Sequence, residues 1–318
     1  MANGSIAPAG QTLYDTSAII VNYNGASLLP RCIRALREDA GPRKLEIVVV
    51  DNASTDGSAD LPCLQDDDVQ VIRLEKNVGF GRANNIGAEA ATGAHLLLLN
   101  TDCFVRPGLL AALTNRLDDD GGCGVVGPRL LNPDGTLQPS CHNFPTPPVL
   151  FLEQSLLWKP LRRVPLLRSR LYVASRHARP NEVDWLLGAC LLVRSEAFRE
   201  VGGFDPDYFF YWEEADLCMR LQKAGWAVAF EPRAEAVHLG GGSSSNPSLL
   251  IYFFTSLFLF YSRHYPCSSL RRAKSLVRLM ARFKAARSRA MLALGAARGA
   301  DRRREEENAG RWMRVARL

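Results

Sequence analysis

No stretch of this 318-residue chain is long and apolar enough to cross a bilayer. The longest nearly unbroken apolar run, Leu249–Tyr261, has 13 residues. A spanning helix needs roughly 20, so this run is expected to lie at an interface at most. A basic segment followed by an apolar one is missing at the N-terminus, and no signal peptide is expected. Cysteine pairs are missing too. The eight cysteines (Cys32, Cys63, Cys103, Cys123, Cys141, Cys190, Cys218 and Cys267) form no C-x-x-C and no zinc-site spacing. Most sit among apolar residues, as small buried hydrophobes do, which implies a reducing compartment. Acids are scarce at one end. Residues 263–318 carry 16 Lys and Arg against 4 Asp and Glu, while residues 1–262 carry 23 against 29. A mildly acidic body therefore bears a strongly basic tail. Such a tail suits an anionic partner, either a membrane surface or nucleic acid.

What is present alternates between two periods. Apolar runs at Ser17–Tyr23, Leu45–Val50, Val69–Leu74 and His95–Leu99 predict buried strands. Helical periodicity follows at Leu28–Arg37, Arg82–Ala91 and Leu109–Leu117. Strands alternating with helices predict an α/β fold with a mostly parallel sheet covered on both faces. Ligands then bind beyond the carboxyl ends of the strands. The polar clusters fall there: Asn22 and Tyr23 after the first strand, Asp51 after the second, Asn100 and Asp102 after the fourth. One such residue alone is usually a turn former or helix cap. Several on one rim point to a site.

The turn Asn77–Gly81 brings backbone close to a ligand through Gly79 and Gly81 and opens a helix whose free N–H groups suit phosphate. It lacks the full G-x-G-x-x-G pattern, because position 84 is Asn, and it lacks a Walker-type lysine. A Rossmann-type NAD site is therefore not expected. Asp102, beside this turn, suits a divalent metal that bridges phosphates, or a helix cap. Further strands are read at Gly121–Arg129, Asp184–Arg194 and Trp226–Glu231, with Gly188 and Ala189 leaving room for a ligand. Residues 139–182 carry seven prolines and read as an irregular excursion. Its arginines 162, 163, 168, 170, 176 and 179 form a solvated face or hold a phosphate or membrane surface. His238 stands before a Gly/Ser-rich segment, as a structural histidine or as part of a metal site.

The most distinctive stretch runs from Tyr208 to Gly225. Four aromatics lead into Glu213, Glu214 and Asp216, then into a helix with Leu217, Leu221 and Ala224 on one stripe. Acids at a helix N-terminus are favourable in themselves. A desolvated carboxylate can also be tuned for proton transfer. Tyr211 and Trp212 either stack on a ligand or belong to the core.

Together these segments resemble family 2 glycosyltransferases of the GT-A fold, and most of all their rhamnosyltransferase-like branch. The resemblance covers about residues 15–245. It rests on Ile-Ile-Val-Asn-Tyr-Asn at 19–24, Val-Val-Asp-Asn-Ala-Ser-Thr-Asp-Gly at 49–57 and Asn-Val-Gly-Phe-Gly-Arg-Ala-Asn-Asn-Ile-Gly at 77–87. It also rests on Leu-Leu-Asn-Thr-Asp at 98–102, Gly-Gly-Phe-Asp at 202–205 and Trp-Glu-Glu-Ala-Asp-Leu-Cys-Met-Arg at 212–220. The resemblance implies a nucleoside-diphosphate sugar donor held by Asn22, Tyr23, Asp51, Asn77, Gly79, Phe80, Gly81, Asn84, Asn100 and Asp102. It implies Mg²⁺ or Mn²⁺ on Asp102, with His238 as a second contact. Asn100 stands where the family's D-x-D motif has its first acid. The usual E-D-x-D reads Glu213-Glu214-Ala215-Asp216, which makes Glu214 the implied catalytic base, Asp216 the reserve and Glu213 their neighbour. The implied reaction is inverting transfer to a glycan or lipid-linked acceptor.

The expected layout is a disordered 1–15, a catalytic domain at 16–245 and a basic helical extension at 246–318. That extension reads as peripheral anchoring to the cytoplasmic face of the membrane, or as a solvated helical hairpin. Two rival functions remain at this stage. One is nucleic-acid binding through the tail, against which the acidic body and the lack of any recognised motif argue. The other is nucleotidyl transfer.

Overall fold

The structure is a computed structural model that describes residues 14–146, 177, 179–240, 248–295 and 298–318. The expectations for most of 1–15, for Arg162, Arg163, Arg168, Arg170 and Arg176, and for the Gly/Ser-rich segment at 241–245 lie outside the described residues. The chain divides into two compact units. One contains the residues up to His142 together with 176–207 and 214–240; the other contains 143–175, 208–213 and 241–318.

The first unit is built on a sheet. Strands β1 (Thr16–Asn22), β2 (Leu45–Asp51), β3 (Val69–Arg73) and β4 (His95–Asn100) run parallel in the order β3-β2-β1-β4. Ile47–Val50 of β2 and Leu96–Leu99 of β4 are buried without alternation, as expected of strands covered on both faces. Helix α1 (Leu29–Ala40) covers one face, burying Leu29, Cys32, Ile33, Leu36 and Ala40 at helical spacing. Helix α2 (Phe80–Ala90) covers the other. Its Gly87 sits so close to the sheet that a Cβ there would lie 2.5 Å from Ile19 Cγ2 and 3.1 Å from Val50 Cγ2. Both neighbours are fully buried and cannot swing aside. Gly87→Ala gains about 1 kcal/mol of helix propensity but overpacks the core at about 1–3 kcal/mol. The expected outcome is a lower urea midpoint with an unchanged m-value.

Past β4 the structure departs from simple alternation. The short strand β5 (Cys103–Val105) was not anticipated. Helix α3 (Leu109–Asp118) and strand β6 (Cys123–Leu131) follow as expected, and β6 turns back as β7 (Leu137–Gln138). The stretch read as one strand over 184–194 is two. β10 (Trp185–Leu186) pairs with β8 (Cys141–His142), whereas β11 (Cys190–Arg194) inserts antiparallel between β4 and β6. The break falls at Leu187–Ala189, where Leu187 N–H donates to Ser140 O and Asn100 N–H donates to Ala189 O. Helix α4 (Ser195–Glu200) and helix α5 (Glu213–Lys223) come next. The last strand is longer than expected. β12 (Ala227–His238) runs parallel to β6, bulges between Glu231 and Glu235, and pairs antiparallel with β5 and with β9 (Asn181–Glu182). The α/β class and the parallel half of the sheet stand as expected, with antiparallel strands added at the far side.

The second unit is helical: α6 (Ser248–His264), α7 (Cys267–Ala293) and α8 (Ala300–Val315). Phe254, Leu257, Phe258 and Tyr261 of α6 pack with Ala273, Val277 and Ala281 of α7 and with Val315. The aromatic run at 249–261 is thus largely core rather than an interfacial surface. Among the described residues, no helix is long and apolar enough to cross a membrane.

Candidate active site

Sheet register assembles the site. Asn22 and Asp51, the last residues of β1 and β2, are paired neighbours, and Asn100 is opposite Val21 at the end of β4. Buried Asn22 donates through Nδ2 to Asp51 Oδ1 (2.9 Å), Ser58 Oγ (2.8 Å) and Ser54 Oγ (3.1 Å). Asp51 Oδ2 accepts from Ser54 N–H. The loops after β1 and β2 are latched together, because Asn24 Oδ1 accepts Thr55 N–H and Asp56 accepts Ala26 N–H. Tyr23 projects from this rim, about half exposed.

Two asparagines that the sequence reading did not single out fix the next segment. Asn52 Oδ1 accepts Val78 N–H at 2.9 Å, while its Nδ2 donates to Asn77 Oδ1 and Gly79 O. Asn77 Oδ1 also accepts Gly79 N–H. Gly79 holds φ +89, the left-handed region glycine tolerates, and opens α2. Gly81 is buried in the first turn and Phe80 meets Phe204 edge-on. Asn84 is fully buried and donates to Phe80 O within its own helix. Asn85 grips Phe204 through both its backbone N–H and its carbonyl, each at 2.8 Å. The only hint of these clamps in the sequence is that both asparagines stand beside residues already singled out.

On the other side of the rim, β12 and β5 pair His238 with Cys103, which sets His238 beside Asp102. His238 Nε2 and Asp102 Oδ1 are 3.3 Å apart. Gln138 Nε2 donates to Asn132, so its Oε1 is the acceptor facing His238 Nδ1 at 2.7 Å. That bond places a proton on Nδ1 and turns Nε2 toward a carboxylate. The contact calls for a proton on Nε2 or a cation between the two. The pair therefore fits a divalent metal, with the imidazole oriented from behind by Gln138. Among the described residues no group of three or more His, Cys, Asp or Glu converges. Substrate oxygens and water would have to complete the shell, which is usual for Mg²⁺.

The acidic helix closes the rim. Asn100 N–H holds Ala189 O, and the adjacent Gly188 lies over Glu214, with a Cβ at Gly188 falling 3.5 Å from Glu214 Cβ. The room left by Gly188 is filled by Glu214 itself rather than by a ligand directly. Burial pushes the Glu214 carboxyl up to about 7, against the opposing pull of its own N–H and that of Gly188. Among the described residues, Glu214 Oε2 has no hydrogen-bond partner. Asp216 is buried too, but Arg220 Nε pairs with it at 2.7 Å while Arg220 Nη1 donates to Val201 O. Glu213 is buried at the helix start. Tyr211 and Trp212 both hold φ +69, an unusual conformation for such residues, immediately before the helix. Their rings pack on Phe253, and Trp212 also packs on Phe260. This favours the core reading for both.

The rim thus gathers the Asn22–Asp51 cluster and the Asn77–Gly81 turn, the Asp102–His238 pair and the buried Glu214 carboxyl. Residues 17–202 match the family described as Glycosyl transferase family 2, and residues 168–270 match Glycosyl transferase family group 2. An N-acetylglucosaminyl-diphospho-decaprenol L-rhamnosyltransferase of Mycobacterium tuberculosis (strain ATCC 25618 / H37Rv) is 33% identical over 69% of this chain and 74% of its own. Rhamnosyltransferase WbbL of Escherichia coli (strain K12) is 46% identical over 18% of this chain and 21% of its own. Among solved structures, the mannosyltransferase PcManGT from Pyrobaculum calidifontis in complex with GDP-Man and Mn²⁺ superposes with a TM-score of 0.56 at 19% identity, over 95% of this chain and 86% of that one. These likenesses bear out the GT-A fold. The chain belongs to glycosyl transferase family 2. It is a glycosyltransferase that moves a sugar from a nucleotide sugar to a glycan or lipid-linked acceptor.

Proposed function

We propose that the sugar is L-rhamnose, that dTDP-rhamnose is the donor, and that a lipid-linked acceptor is extended with inversion in cell-surface polysaccharide assembly. The rhamnosyltransferase relatives support the choice of sugar. The observation that carries the mechanism is Glu214, a buried carboxyl raised to about 7 on the same rim as Asp51 and Asp102. Glu214 takes the proton of the acceptor hydroxyl as the oxygen forms its bond to the anomeric carbon. The anomeric C–O bond to the diphosphate breaks, and the nucleoside diphosphate leaves with the electron pair. No covalent sugar–enzyme intermediate is needed. Asp51 keeps acceptor capacity for a nucleobase N–H beyond the two protein donors it already serves. The Asn77–Gly81 turn and the start of α2 offer N–H groups to phosphate. Asp102 and His238 would hold Mg²⁺ or Mn²⁺, which, when bound, would supply positive charge to stabilise the departing diphosphate. Mn²⁺ accompanies nucleotide ligands in solved neighbours, PcManGT among them. The helical unit brings the enzyme to the cytoplasmic membrane face, where the acceptor resides.

A donor screen by ligand-detected NMR tests this reading, using dTDP-rhamnose, UDP-sugars and GDP-sugars with Mg²⁺ or Mn²⁺. The expected result is saturation transfer to dTDP-rhamnose, with release of dTDP on adding acceptor. Binding confined to a UDP- or GDP-sugar would overturn the donor assignment. Release of pyrophosphate would instead indicate nucleotidyl transfer.

A further inference from the structure

Helix α7 keeps one face for the core and leaves another to solvent. Ala273, Val277, Ala281, Ala285 and Ser288 form its buried stripe. On the opposite side, one turn apart, Leu279 is 64% exposed and Phe283 58% exposed. Exposed large apolar side chains are few among the described residues, and these two stand together. Arg272 lies on the same face, with Arg282, Arg287 and Arg289 flanking it, all exposed. The 27-residue helix carries eight basic residues and no acid. Neighbouring α8 does not neutralise it, because its five arginines outnumber its four acids, and Asp301, Glu306 and Glu307 pair with arginines of α8 itself.

We infer that the Leu279/Phe283 face of α7 is a membrane-docking surface that lies flat on a bilayer rich in anionic lipid. An apolar ridge bordered by positive charge matches a bilayer interface in both respects, since the Phe283 ring and Leu279 enter the acyl boundary while the arginines meet headgroups. A second copy of the chain fits poorly, because a two-fold contact would set arginine against arginine. Nucleic acid matches the charge but gives no place to a leucine ridge. This surface replaces the aromatic run at 249–261, whose rings are spent on the helical core. The assignment deepens the proposed membrane delivery of the glycosyltransferase and rests on that reading.

Vesicle flotation of the full chain tests it, with about one-third anionic lipid or with zwitterionic lipid alone. Wild type is expected to float with anionic vesicles only, and less so in high salt. Leu279→Glu/Phe283→Glu is expected to lose about tenfold or more in partitioning. Arg282→Glu/Arg289→Glu is expected to lose the anionic preference. Both variants alter exposed positions and should keep wild-type circular dichroism and donor binding by NMR. Wild type that stays with the bulk protein, or an apolar variant that floats undiminished, would overturn the assignment. So would a dimer by light scattering that Leu279→Glu/Phe283→Glu dissociates, or tight RNA binding without vesicle binding. Flotation as expected in a protein that binds no nucleotide sugar would leave this surface standing and remove the donor reading instead.

Discussion

Glu214→Gln should abolish sugar transfer while leaving donor binding intact. The change keeps size and shape but replaces the basic carboxylate with an amide that cannot take up the acceptor's proton. General-base catalysis contributes about 10²–10⁴-fold, and the loss should appear in kcat with little change in donor Kd. Asp216→Asn provides the contrast. Asp216 is already committed to Arg220 and through it to Val201 O, so its loss should act on stability first. If Asp216→Asn removes transfer at full stability while Glu214→Gln retains it, the base has been assigned to the wrong acid.

The same residue sets a pH dependence, and its two consequences run in opposite directions. A base must be ionised, so kcat should rise as pH climbs through about 7, the value to which burial lifts the Glu214 carboxyl. Stability runs the other way. A carboxyl raised in the folded state from 4.5 to about 7 contributes stability that is complete below 4.5 and is lost as pH rises through 7. The gap corresponds to about 3 kcal/mol. Glu214→Gln should therefore be more stable than wild type at pH 8 and similar to it near pH 4.5, as read from urea midpoints. An inactive variant that is also less stable at pH 8 would mean that Glu214 is held ionised and is structural.

How far the sequence could reveal this arrangement depended on whether the signal was local. The first four strands were legible because each is a short buried run ending in a polar cluster, and their common rim follows from parallel topology alone. β11 was legible as a strand but not in direction, since a run buried on both faces reads the same either way. The break at Leu187–Ala189 was hidden for the same reason: Gly188 marks a close approach, but only the fold shows that Glu214 fills it. Asn52 and Asn85 were passed over because their partners lie 25–27 and 119 residues away. In the tail, aromatics and arginines alternate too densely for one stripe to stand out, and only the packing of three helices showed that the rings of α6 face inward while Leu279 and Phe283 face outward.

Asp102→Ala carries the other large expected effect, and it separates a metal site from an ion pair. If the Asp102–His238 contact is merely a bridge within the protein, partly exposed as it is, its removal should cost stability only modestly. If it is a cation site, the variant should lose Mn²⁺ binding, measured by water-proton relaxation, and transfer should fall with it. Metal stabilisation of a leaving group is worth several kcal/mol, or about 10²–10⁴-fold in rate. Gln138→Leu refines the test without touching either contact atom. It frees His238 Nδ1, so the ring proton can shift to Nε2 and turn that nitrogen from an acceptor into a donor facing Asp102. A donor to Asp102 satisfies an ion pair but cannot ligate a cation. Gln138→Leu should therefore weaken Mn²⁺ binding about 10–100-fold while leaving the folded state intact. Full activity of wild type in EDTA, together with unchanged relaxation in Asp102→Ala, would end the metal assignment and leave Asp102 and His238 as a latch between the β4–β5 turn and β12.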